Sequence, residues 1–506
     1  MVLDGLLTIL SAKNVLYIAI ATAGGLAVGA LPGLTATMAV ALLVPITFTL
    51  GPISGLAVLG AIYMSAIYGG CFSAILINTP GTPGSIATAF DGYPMARKGE
   101  GAKAIFAATY ASMFGGLLSL LALFFLSPPL ARIALKFGPP EYFWLAIFGL
   151  TVMSNLGEGS FIKTFLSGGI GLILSCIGIT HMGGELRFGF GRYELQGGVE
   201  LIAGLIGLFC IPEALNFMGT MSSSIYSVEK IEKKKRVWIS YFREFWDTRK
   251  TLIRSTLIGT IIGILPGAGG TVANVVAYND AKTYSKKTGF GTGIMDGIVA
   301  PESANNATVG GGLIPTLTLG IPGTPVDAVI LGALMIHSLH PGPQLFQKSG
   351  LIVYSFMWAL VISTLLMGII GLSLGVALYK GVSRVPTRYL APTIIFLSII
   401  GSYSLRNSMV DVWMMLALGV IGYAFKLLGM STSAAVLGLV LGQIAEEGLV
   451  QAAILSRASS YFRVFFFRPI SAIIIILAIL TFFWPAIANF IAKKKRGKND
   501  YDKRET

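Results

Sequence analysis

Charge is what this sequence has least of. Asp, Glu, Lys and Arg make up 12% of its 506 residues and hydrophobic residues 54%, whereas soluble domains carry about 25% charged residues. A soluble multidomain fold is thereby excluded. Histidine is nearly absent, with His181, His337 and His340 as its three occurrences. Only His181 borders an apolar segment, and no Ser-His-Asp or paired-Asp arrangement stands beside it. An intramembrane enzyme needs a nucleophile with a base, or metal ligands, so no enzyme activity is expected and no catalytic residue is assigned. Cysteine is equally scarce. Cys71, Cys176 and Cys210 all lie in apolar context and give neither metal spacing nor a disulfide framework. They read as small packing residues, and no cofactor is expected.

The net charge of +14 does not point to nucleic acid. The basic residues lie in short loops and at the C-terminus, at Lys493, Lys494, Lys495, Arg496 and Lys498, a distribution that orients membrane proteins. Apolar runs of spanning length recur along the chain, for example at 104–126, 163–180, 351–379 and 470–491. The expectation is an all-α polytopic membrane protein in the lipid bilayer with about 11–12 transmembrane segments. Residues 14–31, after Lys13, have the look of a signal peptide. A counterpart in mid-chain makes them part of the fold.

The chain contains itself twice. GALPGLTATMAVAL (29–42) echoes GILPGAGGTVANVV (263–276) at an offset of 234, and GGCFSAILINTPGTP (69–83) echoes GGLIPTLTLGIPGTP (311–325) at 242. GLIGLFCIPEAL (204–215) echoes GLVLGQIAEEGL (438–449), again at 234. The expected organisation is a first membrane repeat over 1–217, a basic cytoplasmic linker with an amphipathic helix over 218–250, and a second repeat over 251–450. An additional C-terminal helix region over 451–492 and a basic cytoplasmic tail over 493–506 follow. Loop 91–103 carries Arg97, Lys98 and Lys103 while its counterpart 333–345 carries no Lys or Arg; loop 280–290 carries Lys282, Lys286 and Lys287 while 46–56 carries none. Positive loops mark the cytoplasmic side, so the repeats are inverted. The C-terminus is then cytoplasmic and the N-terminus outside, although Arg187, Arg192, Arg457, Arg463 and Arg468 fall on the outer side of this scheme.

Helix breaks recur at matching positions: Pro32 and Gly33 with Pro266 and Gly267, and Pro80 and Pro83 with Pro322 and Pro325. Proline removes a backbone donor and clashes with the preceding turn. Freed backbone groups are tolerated at membrane depth only inside protein or along a wet cavity. Secondary transporters aim such half-helix ends at anionic substrates and coupling ions near the midplane. Thr35, Thr37, Thr82, Ser85, Thr271 and Thr324 follow the breaks, and their hydroxyls both donate and accept. One segment has no partner in the other half: GIVAPESANNATVGGG (297–312) gathers Glu302, Ser303, Asn305, Asn306 and Thr308. Amides and a carboxylate suit a sodium ion, or Glu302 carries a proton. The competing reading is a helix start capped by Ser303 or Asn305. Asn78 and Asn274 are weaker candidates of the same kind, and Asp327 either caps a half-helix or joins the site. Glu213 and Glu447 match across the repeat and read as helix-end residues. LPGAGGT (265–271) lacks the Gly-Lys-Ser/Thr ending of a phosphate loop.

At these motifs the sequence resembles the large membrane subunit of the bacterial tripartite tricarboxylate transporters. The resemblance rests on GALPGLTATMAVALLVP (29–45), YGGCFSAILINTPGTPGSIATAFDGYPMARKGEGAKA (68–104), GILPGAGGTVANVVAYNDAK (263–282), APESANNATVGGGLIPTLTLGIPGTP (300–325) and GALMIHSLHPGPQLF (332–346). It implies a secondary carrier of carboxylates such as citrate in the bacterial cytoplasmic membrane, driven by a sodium or proton gradient. It also implies two partners, a small membrane subunit and a periplasmic substrate-binding protein. Burying a tricarboxylate against isolated Lys or Arg is costly, and the apolar segments hold almost none near the breaks. The expected substrate residues are therefore Gly33, Thr35, Gly81, Thr82, Gly323 and Thr324. The expected ion-coupling residues are Asn78, Glu302, Ser303, Asn305 and Asn306, with no metal beyond a sodium ion. Alternating access is expected to be elevator-like, and the competing function is a stand-alone carrier or channel for organic anions.

Overall fold

Proline and glycine set the helix ends. The computed structural model describes residues 1–156, 160–180, 184–219, 238–384, 387–457 and 460–483. His181, the charged stretch 227–237 and the Lys-rich tail lie outside them. The first half of the chain runs α1 Ala12–Gly29, α2 Ala36–Phe48, α3 Pro52–Ile77, α4 Ile86–Met95, α5 Gly101–Ala134, α6 Pro139–Leu156, α7 Phe161–Ser175 and α8 Leu201–Gly219. The second runs α9 Arg249–Ile264, α10 Gly269–Tyr284, α11 Asp296–Leu319, α12 Pro325–Ile336, α13 Gly350–Ser373, α14 Thr387–Arg406, α15 Met409–Leu427 and α16 Thr432–Ser456. Shorter helices such as Trp238–Asp247 connect them, and Pro469–Phe483 follows. Among the described residues the only sheet is a hairpin of Gly178–Ile179 with Leu186–Arg187.

The chain is an all-α polytopic membrane protein. Eight of the described helices are long and apolar enough to cross a membrane, and four shorter apolar helices stand beside them. Their outer faces present Leu16, Ile20, Leu121, Phe125, Leu365 and Ile369, a surface that acyl chains cover at no desolvation cost. Their inner faces are closely apposed through small residues.

All four predicted breaks are present. α1 ends at Gly29 before Pro32, α3 at Ile77 before Pro80, α9 at Ile264 before Pro266, and α11 at Leu319 before Pro322. Asn78 and Gly320 close α3 and α11 in the same left-handed conformation, with φ of 56° and 73°. Asparagine and glycine are the residues that tolerate it.

Two compact units form, one of Met1–Lys136 with Val199–Leu428 and one of Phe137–Gly198 with Gly429–Thr506. Each takes helices from both halves of the sequence. In the larger unit α1 packs on α3 and α9 on α11, while α5 crosses to α11 and α13 to α3. α8 lies against α14 and α15. In the smaller unit α16 lies against α6 and α7. Advancing each label by eight, and counting on from α16 to α1, converts one set of pairings into the other.

Candidate functional site

α3 and α11 cross at the centre of the larger unit. Asn306 Nδ2 donates to the Met64 carbonyl at 3.3 Å, and Met64 lies 242 residues before Asn306, the offset of the repeat. A contact between equivalent residues is what a two-fold axis produces. The two helices run antiparallel: Gly70 of α3 and Asn305 of α11 face the Pro80–Pro83 break, the first tip, while Tyr63 of α3 and Gly312 of α11 face the Pro322–Pro325 break, the second tip. Seven residues of helix separate Asn305 from Gly312, about 10 Å along the axis. Each break folds back beside its own helix, so the two tips flank the crossing.

Close backbone approach holds each tip. A side chain at Gly81 would collide with the Gly29 carbonyl, at the end of α1, and with Gly70. A Cβ at Gly323 would fall 2.5 Å from the Gly263 carbonyl and 2.7 Å from the Gly312 Cα. Gly29, Gly70 and Gly81 are the counterparts of Gly263, Gly312 and Gly323 by the sequence offsets. The Gly81 amide donates to the Gly70 carbonyl at 3.2 Å and the Gly267 amide to the Gly323 carbonyl at 2.8 Å.

The first tip is neutral. Thr82 Oγ1 and Ser85 Oγ are 3.4 Å apart, both buried. Asn274 of α10 donates its amide to the Gly84 carbonyl. The Asn305 side chain is wedged between Gly84 and Gly270 and is fully buried. Neither its oxygen nor its nitrogen has a hydrogen-bond partner among the described residues, and the Asn274 and Asn306 amide oxygens are likewise unpartnered. A buried amide with both ends open costs free energy that a ligand recovers. Glu302, one turn away on α11, is satisfied. It accepts from Thr88 Oγ1 of α4 at 2.5 Å and from Ser112 Oγ of α5 at 3.0 Å, with Ser85 beside it.

The second tip is charged. Thr324 caps α12, accepting from the Asp327 amide at 3.2 Å, and its hydroxyl is 2.9 Å from the Tyr63 hydroxyl. The Asp327 carboxylate lies against Gly312 and Gly323. It is fully buried, with the Tyr63 and Thr324 hydroxyls beside it and no basic partner among the described residues.

Several predicted residues stand elsewhere. Glu302, Ser303 and Asn305 do not cap a helix, because α11 begins at Asp296 and carries all three inside it. Ser303 donates to the Ala300 carbonyl at 3.2 Å, and its backbone packs on Gly115. Asn78 is exposed at the end of α3. Gly33, with φ of 90°, is exposed against the Phe217 ring, and Thr35 caps α2 by accepting from Met38 N at 3.2 Å. His337 stacks near Phe48, and no group of three metal-ligating side chains occurs among the described residues. Tyr63, Thr88 and Ser112 escape sequence reading, being ordinary residues inside apolar helices. The repeat carried the missing signal for one of them: Tyr63 lies 242 residues before Asn305, as Ser85 lies before Asp327.

Asp91 is a further unanticipated residue, and it joins two basic loops. Its carboxylate accepts from Tyr278 Oη at 2.8 Å and from the amides of Gly291, Gly293 and Ile294 at 2.8–3.0 Å. Lys98 Nζ donates to the Thr292 carbonyl at 2.7 Å. The two lysine-bearing loops that the charge pattern assigns to one membrane face thus meet each other.

Comparison with known proteins agrees with the resemblance seen in the motifs. The family described as Tripartite tricarboxylate transporter TctA family matches residues 15–437. An "Uncharacterized 52.8 kDa protein in TAR-I ttuC' 3'region" of Agrobacterium vitis is 37% identical over 469 residues, covering 92% of each chain. An "Uncharacterized protein in TAR-II ttuC' 3'region" of the same organism is 37% identical over 215 residues, 42% of this chain and 88% of that one. No solved structure matches.

Proposed function

The chain belongs to the tripartite tricarboxylate transporter TctA family, and we propose that it is the subunit that moves a carboxylate such as citrate across the bacterial cytoplasmic membrane, driven by a sodium or proton gradient. It is a membrane transport protein, and a tripartite family implies partner subunits with a substrate-binding protein. In this reading the partners are a small membrane subunit and a periplasmic binding protein that delivers the substrate, and no ATP is consumed. The repeats 1–217 and 251–450 are inverted, with the C-terminus in the cytoplasm, and the tips cross the membrane by an elevator-like movement.

The observation that carries this reading is the unpartnered Asn305 amide between the first tip and the third break. A carboxylate entering there meets the Asn305 amide and the Thr82 and Ser85 hydroxyls as donors, without a buried Lys or Arg. Neutral donors recognise an anion without the cost of an isolated buried cation. Glu302 sits one helical turn from Asn305 and supplies the charge that a co-transported cation would neutralise.

The double substitution Thr82→Val, Thr324→Val removes one hydroxyl from each tip at nearly constant volume. Sodium-driven uptake of labelled citrate into proteoliposomes is expected to fall at least tenfold, since each lost hydrogen bond to a charged group is worth about 1.5–3 kcal/mol. Uptake at the wild-type rate would remove the tips from the substrate path.

A further inference from the structure

We propose that the second tip is a binding site for one sodium ion, built from the Asp327 carboxylate with the Tyr63 and Thr324 hydroxyls and the Gly263 carbonyl. The inference rests on the transport reading above but moves Thr324 from the substrate to the ion. Asp327 is fully buried, the Tyr63 and Thr324 hydroxyls stand beside its carboxylate, and no Lys, Arg or His pairs with it among the described residues. A buried charge is tolerated when a counter-charge accompanies it. The surroundings supply oxygens alone. Tyr63 Oη and Thr324 Oγ1 stand 2.9 Å apart at the start of α12. The Gly263 carbonyl, next to the last residue of α9, approaches Gly323 from the other side. Hydroxyl, carbonyl and carboxylate oxygens at an unwound helix end are the ligand set of a hard monovalent cation.

The repeat sharpens the assignment. At the equivalent place in the first tip stands Ser85, facing Gly70 as Asp327 faces Gly312. The two tips therefore share a backbone and differ in charge. The aspartate places this sodium ion at the second tip, apart from any cation that Glu302 compensates, and the first tip, which carries no acidic residue of its own, is left for the anion about 10 Å away along α11.

The test is sodium binding itself, without substrate. Thermal unfolding of the purified chain in detergent is followed as sodium chloride replaces choline chloride at constant ionic strength and constant pH, with potassium chloride as a second comparison. Wild-type protein is expected to melt at a temperature that rises with sodium and saturates, as ligand linkage requires. Asp327→Asn abolishes the sodium-specific rise, and Tyr63→Phe shifts its midpoint at least threefold to higher sodium. Should Asp327→Asn not fold, Tyr63→Phe and Thr324→Val carry the test. A saturable rise that survives in Asp327→Asn, or persists unshifted in both hydroxyl variants, overturns the site. A wild-type protein that responds to pH and not to sodium assigns Asp327 to a proton and overturns it as well. If citrate uptake stays sodium-dependent while the site fails, the transport reading survives and the ion lies elsewhere.

Discussion

Replacing Glu302 by alanine is expected to abolish uptake and lower the melting temperature of the purified protein, while Glu302→Gln is expected to abolish uptake and leave the fold standing. Glu302 is fully buried and gathers Thr88 of α4 and Ser112 of α5 onto α11. Alanine leaves two buried hydroxyls without an acceptor, at about 1–3 kcal/mol each, and opens a cavity besides. Glutamine keeps an acceptor oxygen for one hydroxyl at similar volume but cannot hold the charge that compensates a cation. Thermal melts in detergent and uptake in proteoliposomes read the two effects separately. Equal stability of the alanine and glutamine variants would show that the carboxylate does not join these three helices. Full uptake by the glutamine variant would remove Glu302 from ion coupling.

Gly81→Ala is the second large effect. A methyl at this position runs into the Gly29 carbonyl and falls 2.7 Å from Ser73 Oγ. Carbonyl and Gly81 both belong to backbone held at a helix end, so no side-chain rotation relieves the collision. Overpacking of this kind costs about 1–3 kcal/mol or more, and it displaces Thr82, the next residue. The expected outcome is a lower yield of monodisperse protein and uptake below a tenth of wild type. Gly169→Ala, where an added Cβ meets nothing within 4 Å, serves as the comparison and is expected to behave as wild type. Equal behaviour of the two variants would contradict the close approach of the first tip to α1.

Much of the architecture was legible because it is written in residues that act locally. The Pro-Gly pairs at 32–33, 80–81, 266–267 and 322–323 announced the breaks that the structure contains, whereas Pro45, Pro212, Pro301 and Pro315 stand inside helices. The glycine counterparts Gly81 and Gly323 could be matched by offset alone. The basic segments around Lys98 and Lys287, which the charge pattern puts on one side, are neighbours in space. What sequence could not show is which residues face one another across the crossing of α3 and α11. Tyr63 and Met64 look like any apolar-helix residues until Asn306 and Thr324 are set beside them. The expected substrate residues were therefore drawn too locally. Gly33 and Thr35 follow a break, but Gly33 lies against Phe217 and Thr35 caps α2, whereas Asn305, read as an ion ligand, lies against the first tip. Asn78 has a backbone task, the left-handed cap that Gly320 performs in the other half. Asp91 stayed hidden because, Tyr278 apart, its partners are backbone amides about two hundred residues away, which no side-chain pattern reports.

In the proposed function the chain accumulates a carboxylate, presented by a binding protein, as a cation runs down its gradient. The most direct measurement is uptake of labelled citrate into proteoliposomes holding the chain and its small membrane subunit, with an inward sodium gradient and with or without the binding protein outside. The account predicts accumulation that needs both the gradient and the binding protein and that stops when sodium is equal on the two sides. Accumulation that ignores the binding protein would make the chain a stand-alone carrier, and equilibration without any gradient dependence would make it a channel; either result contradicts the account.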